Sequence, residues 1–181
     1  MAAVFVRQTS IGQSTKSVKT RKSDPKQDGS FKTHAQFEPF ESYIKCYRQE
    51  PLSLIQTIRE GVPAAAVKQM VGDLDIDQAG FLRALNLSTA TLNRRTSKGE
   101  RLPADESERV VGLARLVGQV EAMVDESGDP EGFDAAEWLS RWLRDPLPAL
   151  GGQKPIDLLD TMAGQALVSQ MLSRLQSGAY A

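Results

Sequence analysis

The stretch "PADESERVVGLARLVGQVEAMVDE", residues 103–126, constrains this chain more than any other. It is long, holds no proline after its first position, and places Val110, Leu113, Val117, Val120 and Val124 at spacings of 3, 4, 3 and 4. That repeat returns to one face of an α-helix. Asp105, Glu106 and Glu108 lie in its first turns, where the helix dipole favours negative charge. A helix this long must have its apolar seam covered. The spacing suits either packing within the chain or pairing with a second copy, as in a dimerisation helix. The expectation is an all-α fold.

The segments before it also read as helices. "PLSLIQTIREG", 51–61, opens on Pro51, closes on Gly61 and spaces Leu52, Leu54, Ile55 and Ile58 helically. "VPAAAVKQMVGDL", 62–74, carries Val67, Met70 and Val71 on one face. "EPFESYIKCYRQ" mixes aromatics with charges and reads as a short helix or a docking arm. No strand and no internal repeat are expected.

Residues 77–102 are more specific. Asp77 can cap a helix holding Phe81, Leu82 and Leu85 that ends near Asn86, and Ser88 can cap a second one, "TATLNRR", with Leu92 inward. Two short helices around a break containing Leu87 form a helix-turn-helix pattern, with Leu85, Leu87 and Leu92 as its small core. With Leu92 inward, Ala90, Thr91 and Arg94 turn outward, Lys98 lies on the same side, and Asn93 and Arg95 flank them. Small residues allow close approach to a major groove, Asn pairs with adenine, and Arg pairs with guanine or clamps phosphate. Thr89, Thr91, Asn93, Arg94, Arg95 and Lys98 are therefore the candidate DNA-binding residues. Charge alone would make "NRRTSKGER" a solvated turn; the helix-break-helix spacing ahead of it favours DNA contact.

The cluster "SGDPEG", 127–132, marks a boundary. The chain divides into a basic segment at 1–36, a helix-turn-helix domain at 37–126 and a second helical domain at 130–181. In the last, Asp134 and Glu137 make an Asp version of the capping box, and Phe133 can staple onto Trp138. Trp138, Leu139, Trp142 and Leu143 share one side of a helix that stops at Asp145-Pro146. Two tryptophans on one short helix suit a core or an interface anchor. After Gly151-Gly152, "PIDLLDT" starts a brief helix at Pro155. A last helix follows with Val168, Met171, Leu172 and Leu175 inward and Gly178 beyond its end. The glycines permit positive φ in a sharp joint, which is expected to fold the last helices back against the Trp138–Trp142 helix.

Enzyme chemistry finds little support. His34 is the one histidine and Cys46 the one cysteine, so HExxH and cysteine-based zinc sites are absent. A Ser-His-Asp triad or a conceivable Cys46–His34 pair would have to rest on a histidine in the basic segment, where it could not be held in register. "GGQKP" lacks the Walker spacing, follows no strand and places proline after Lys154. No catalytic residue, metal or cofactor is expected. The chain also has no apolar run approaching a membrane span and no clear signal sequence at its start, so a reduced, soluble, cytoplasmic protein is expected.

Residues 1–35 carry seven Lys/Arg against Asp24 and Asp28, whereas the rest carries 15 bases against 21 acids. Rich in Ser, Thr, Gln and Lys, this segment cannot bury enough apolar surface to form a core and is expected to be largely disordered. A DNA-contacting arm and a site for proteolysis are both compatible with it.

The helix-turn-helix, the long helix after it and above all "WLRDPLPALGGQKPIDLLDT" resemble the Xre-type antitoxins of the RES–Xre (Xre/MbcA/ParS) toxin–antitoxin family. The resemblance covers residues 50–181, and its specific part is Trp142, Pro146, Pro148, Leu150, Gly151, Gly152, Pro155, Ile156, Leu158 and Leu159 in that order. It implies an antitoxin without catalytic activity. The N-terminal domain would bind operator DNA as a homodimer and repress its operon. The C-terminal domain would bind and occlude a cognate RES-domain toxin that consumes NAD⁺. On this resemblance the partner-binding residues are Trp138, Trp142, Pro146, Leu150, Gly151, Gly152, Pro155, Leu158, Leu159 and Tyr180. Tyr180 is either a plug for the toxin's active site or part of a frayed end. The competing reading is a one-component helix-turn-helix transcription regulator whose C-terminal domain senses an effector.

Overall fold

A computed structural model describes residues 42–128 and 131–176. Among the described residues eight α-helices follow in order: α1 (Tyr43–Tyr47), α2 (Pro51–Glu60), α3 (Ala64–Asp73), α4 (Gln78–Ala84), α5 (Thr89–Ser97), α6 (Ala104–Ser127), α7 (Ala135–Arg144) and α8 (Met162–Gln176). Two 3-10 turns, Pro148–Leu150 and Pro155–Leu158, sit between α7 and α8. The described residues hold one isolated bridge, Pro63 to Arg101, and no strand. The all-α expectation holds, while the segment 1–36 lies outside the described residues.

The fold is organised around α6, against which α1, α2, α7 and α8 all pack. Val110, Leu113, Val117 and Val120 are buried within the single chain. The seam is covered by the chain's own helices, the first of the two uses that its spacing suits. An aliphatic side chain gains about 1.5–3 kcal/mol on full burial, and here neighbouring helices of the same chain supply that burial.

Two close approaches fix what lies on α6. At Gly118 a Cβ would collide with the Tyr43 carbonyl oxygen, so only glycine lets α1 lie this near. Tyr43 then donates to the Asp73 carboxylate at 2.5 Å, tying α1 to α3. Burial, helped by that bond, raises the Tyr43 phenol well above its ordinary range. At the other end of α6, buried Ser107 accepts from the Val62 N–H at 2.9 Å and donates to the Leu102 carbonyl at 3.3 Å. This joins the α2–α3 corner to the α5–α6 connection.

Of the elements expected to fold back onto the tryptophan helix, the Pro155–Leu158 turn does so, while the final helix docks on α6. Val168, Met171 and Leu172 of α8 are buried, and polar side chains fix its register on α6. Gln119 donates to the Ser169 carbonyl and to Ser173 Oγ, each at 3.0 Å, and accepts from Ser169 Oγ at 2.7 Å. The α7 helix instead meets α6 and the Pro155–Leu158 turn. The expected break after α6 is present, with Gly128 left-handed at φ 86°, but packing continues across it because α6 serves both sides.

Candidate DNA and partner interfaces

The helix-turn-helix forms as its local signals dictate. Asp77 caps α4 by accepting from the Gly80 N–H at 2.8 Å, and Ser88 caps α5 by accepting from the Thr91 N–H at 3.4 Å. Between them Asn86 takes a left-handed conformation, φ 52°, which asparagine tolerates better than most side chains. Leu85, Leu87 and Leu92 are buried as the small core. On α5, Thr89, Ala90, Asn93, Arg94 and Ser97 are exposed, Thr91 is half-buried at the edge, and Lys98 is exposed just beyond.

Arg95 does not join them. Its guanidinium pairs with Glu106 of α6, and the two side chains are only 17% and 20% exposed. It ties α5 to the long helix and is withdrawn from the DNA-facing set. The remaining cations are partly compensated as well. Glu100 lies 3.3 Å from Arg94 and 3.9 Å from Lys98, and Arg101 donates to the Gly61 carbonyl at 2.6 Å. Sequence spacing carries no sign of the Arg95–Glu106 pair, since 11 residues separate the partners on different helices.

In the C-terminal part, Asp134 caps α7 through the Glu137 N–H at 2.8 Å. Leu139 and Leu143 are buried, while Trp138 and Trp142 are half-buried at the rim. The indoles stack with centroids 6.2 Å apart and planes 9° from parallel, and Phe133 adds a tilted ring 6.3 Å from Trp138. Arg141 and Asp145 join the indoles around a cavity of about 340 Å³. Next to this aromatic rim the chain turns on Gly151 and Gly152, with φ of 65° and 85°. Leu147 closes the loop: its N–H donates to the Gln153 carbonyl and its carbonyl accepts from the Gly152 N–H, each at 3.0 Å.

Pro146, Gly151 and Gly152 are exposed, and Leu150 and Leu158 are half-buried. Pro155 and Leu159 are buried in the core. These two residues therefore support the joint from beneath and are removed from the partner-facing set. Tyr180 lies outside the described residues. Exposed Met162 and Leu167 of α8 are apolar surface that helical periodicity does not single out.

A buried glutamine connects the two regions. Gln165 of α8 donates to the Leu159 carbonyl at 2.8 Å and to the Arg109 carbonyl at 3.0 Å. Arg109 in turn donates from Nε to the Leu85 carbonyl, in the turn of the helix-turn-helix, at 2.8 Å. The Gln165 Oε1 fills the space where a Cβ of Gly112 would stand. The joint and the helix-turn-helix corner are thus fastened to the same turn of α6.

Residues 53–115 match the antitoxin Xre-like helix-turn-helix domain, and residues 119–178 match the antitoxin Xre/MbcA/ParS C-terminal toxin-binding domain. A Sphingobium sp. protein named Prs ADP-ribosylating antitoxin is 52% identical over 84% of this chain and 96% of its own length. The chain belongs to the Xre/MbcA/ParS antitoxin family. Proteins named Antitoxin Xre from Yersinia enterocolitica and Photorhabdus laumondii are 31% and 30% identical, over 70% and 67% of this chain and 80% and 76% of theirs. The two matched domains meet inside α6, the helix that the packing shares.

Membership in the Xre/MbcA/ParS family makes this an antitoxin with a helix-turn-helix and a toxin-binding domain. Cys46 is buried on α1, and burial pushes its thiol up to about 11, with Arg115 opposing only in part; His34 lies outside the described residues. No helix among the described residues is long and apolar enough to cross a membrane.

Proposed function

We propose that this antitoxin binds and occludes a cognate RES-domain toxin through the aromatic rim and the Gly-Gly joint, and represses its own operon through α5. The observation that carries the toxin reading is the coincidence of the matched toxin-binding domain with Trp138, Trp142 and the exposed loop around Gly151 and Gly152. Large aromatics set in a half-buried rim are the usual anchors of a protein interface. The name of the Sphingobium relative refers to ADP-ribosylation, a reaction that, like NAD⁺ degradation, starts from NAD⁺. A toxin acting on NAD⁺ is therefore the proposed partner.

On the DNA side, Thr89, Thr91, Asn93, Arg94 and Lys98 form the proposed reading face, with Arg95 holding α5 from behind. Reading a two-fold operator requires a homodimer. Since the α6 seam is used internally, α2 is the proposed contact: Leu52 is 82% and Ile55 42% exposed there.

The test looks for a RES-domain reading frame beside this one, co-expresses the chain with its product and follows cellular NAD⁺, ADP-ribosylated protein and growth. The intact antitoxin should co-purify with the toxin and preserve NAD⁺. Trp138→Ala with Gly152→Trp should release toxin activity while helicity and operator binding persist. Full protection by that variant would sink the proposed docking surface. Operator binding that responds to a metabolite, with no protein partner on purification, would favour the effector-sensing regulator.

A further inference from the structure

The C-terminal end of α7 carries a charge that the fold does not use. Asp145 is the C-cap of this helix and is exposed, and among the described residues its carboxylate has no hydrogen bond and no ion pair. Only its backbone is engaged, the N–H donating to the Trp142 carbonyl at 3.3 Å. Local physics argues against an acid at this place. The end of a helix is the negative pole of its backbone dipoles, so a carboxylate there is repelled and a cation is attracted. The same carboxylate lines the cavity of about 340 Å³ that holds the Trp138 and Trp142 indoles, and aromatic faces also attract cations. An unpaired carboxylate, a helix end and two stacked indoles thus favour positive charge at one opening. The chain's own arginines do not supply it. Arg144 turns back along α7, donating from Nε to the Ser140 carbonyl at 3.0 Å and from Nη2 to Ser140 Oγ at 3.1 Å. Arg141 lines the cavity but pairs with Glu137, one turn earlier, at 3.1 Å, and not with Asp145, one turn later.

We infer that the aromatic rim receives an arginine side chain of the toxin, whose guanidinium lies on an indole face and pairs with the Asp145 carboxylate. Arginine fits this opening better than lysine. Its guanidinium is planar and weakly hydrated and presents a fork of N–H donors that matches a carboxylate, whereas an ammonium is a compact, strongly hydrated charge. Asp145 is thereby a specificity-determining residue of the interface. A partner offering only apolar groups here would bury the carboxylate unpaired, which costs binding and rejects that partner.

This inference rests on the reading of the aromatic rim as the toxin-docking surface, and the test separates the two. The full-length antitoxin is titrated by calorimetry, at low and high salt, with the product of a RES-domain reading frame beside its own. Asp145→Asn keeps the shape of the side chain and removes its charge. It should weaken the complex at least about tenfold and make the affinity less sensitive to salt. Its melting temperature should equal or exceed that of the natural chain, because the helix end is relieved of a like charge. Trp138→Ala should weaken the complex too. Each exposed arginine and lysine of the toxin is then changed to Gln, and double-mutant cycles with Asp145→Asn should show coupling to one arginine. Coupling to a lysine alone, or to no cation, overturns the inference. Unchanged affinity of Asp145→Asn overturns it as well, and the docking surface then stands if Trp138→Ala still weakens the complex. If neither substitution weakens it, the toxin docks elsewhere and both readings fall. A natural chain that binds no such toxin removes the docking reading and this inference with it.

Discussion

Arg94 and Arg95 are adjacent in sequence and differ in what their charge does. Arg94 is about half exposed and shares Glu100 with Lys98, whereas Arg95 is held between α5 and α6 by Glu106. An exposed pair is worth about 0–1 kcal/mol, and a pair removed from solvent costs more when one partner is lost. Arg95→Ala should therefore destabilise the fold by about 1–2 kcal/mol, read as a lower urea midpoint. Arg94→Ala should stay within about 0.5 kcal/mol of the natural chain and weaken promoter binding instead. Equal stability of the two variants would show that the Glu106 contact does not anchor α5. The basic cluster was legible in the sequence, because charge is a property of each residue. Which of its members is engaged was not, because Glu106 belongs to another helix, where its place in the first turn already suits the helix dipole.

Elements whose signals are local form where the sequence places them. Asp77, Ser88 and Asp134 cap the helices they precede, and Gly151 and Gly152 adopt the positive φ expected of the joint. The space around both glycines is open, so their requirement is conformational, and an alanine there would cost about 1–2 kcal/mol through φ alone. Gly118 is the opposite case: it lies inside a regular helix, where glycine is locally unfavourable, and its reason is the α1 backbone pressed against it. Periodicity shows that α6 has an apolar face but not which element covers it, so the placement of α1 and α8 was not legible. Gly118→Ala should displace α1, costing about 1–3 kcal/mol as overpacking does, and should expose Cys46, which is buried on α1. Thiol labelling should then become faster and the melting temperature lower. A Cys46 that stays protected in Gly118→Ala would show that α1 accommodates the methyl group without moving.

At the scale of the whole molecule, α6 decides how the two matched domains behave. It packs against α1, α2, α7 and α8, the Glu106 and Arg109 side chains tie its first turns to α5 and to the Leu85 carbonyl, and no linker separates the two matched domains. Arg109 and Gln165 add a hydrogen-bonded path from Leu85 to Leu159 across the same turn of α6. The α6 helix ends at Gly128, within the sequence boundary at 127–132, yet a helix end divides a structure only when the elements on either side have separate cores. Deleting α8 from Met162 onward would strip the cover from α6, and the remaining fragment should lose stability throughout instead of surviving as a free DNA-binding domain. The intact chain should accordingly unfold in one step. Trp138 and Trp142 fluorescence reports the C-terminal part and far-ultraviolet circular dichroism reports all helices, and their urea transitions should coincide. If fluorescence changes at a lower urea concentration than helicity, the toxin-binding part unfolds by itself and α6 is a connector between two independent cores. Coincident transitions mean that a toxin seated on the aromatic rim stabilises the same cooperative unit that presents α5 to DNA.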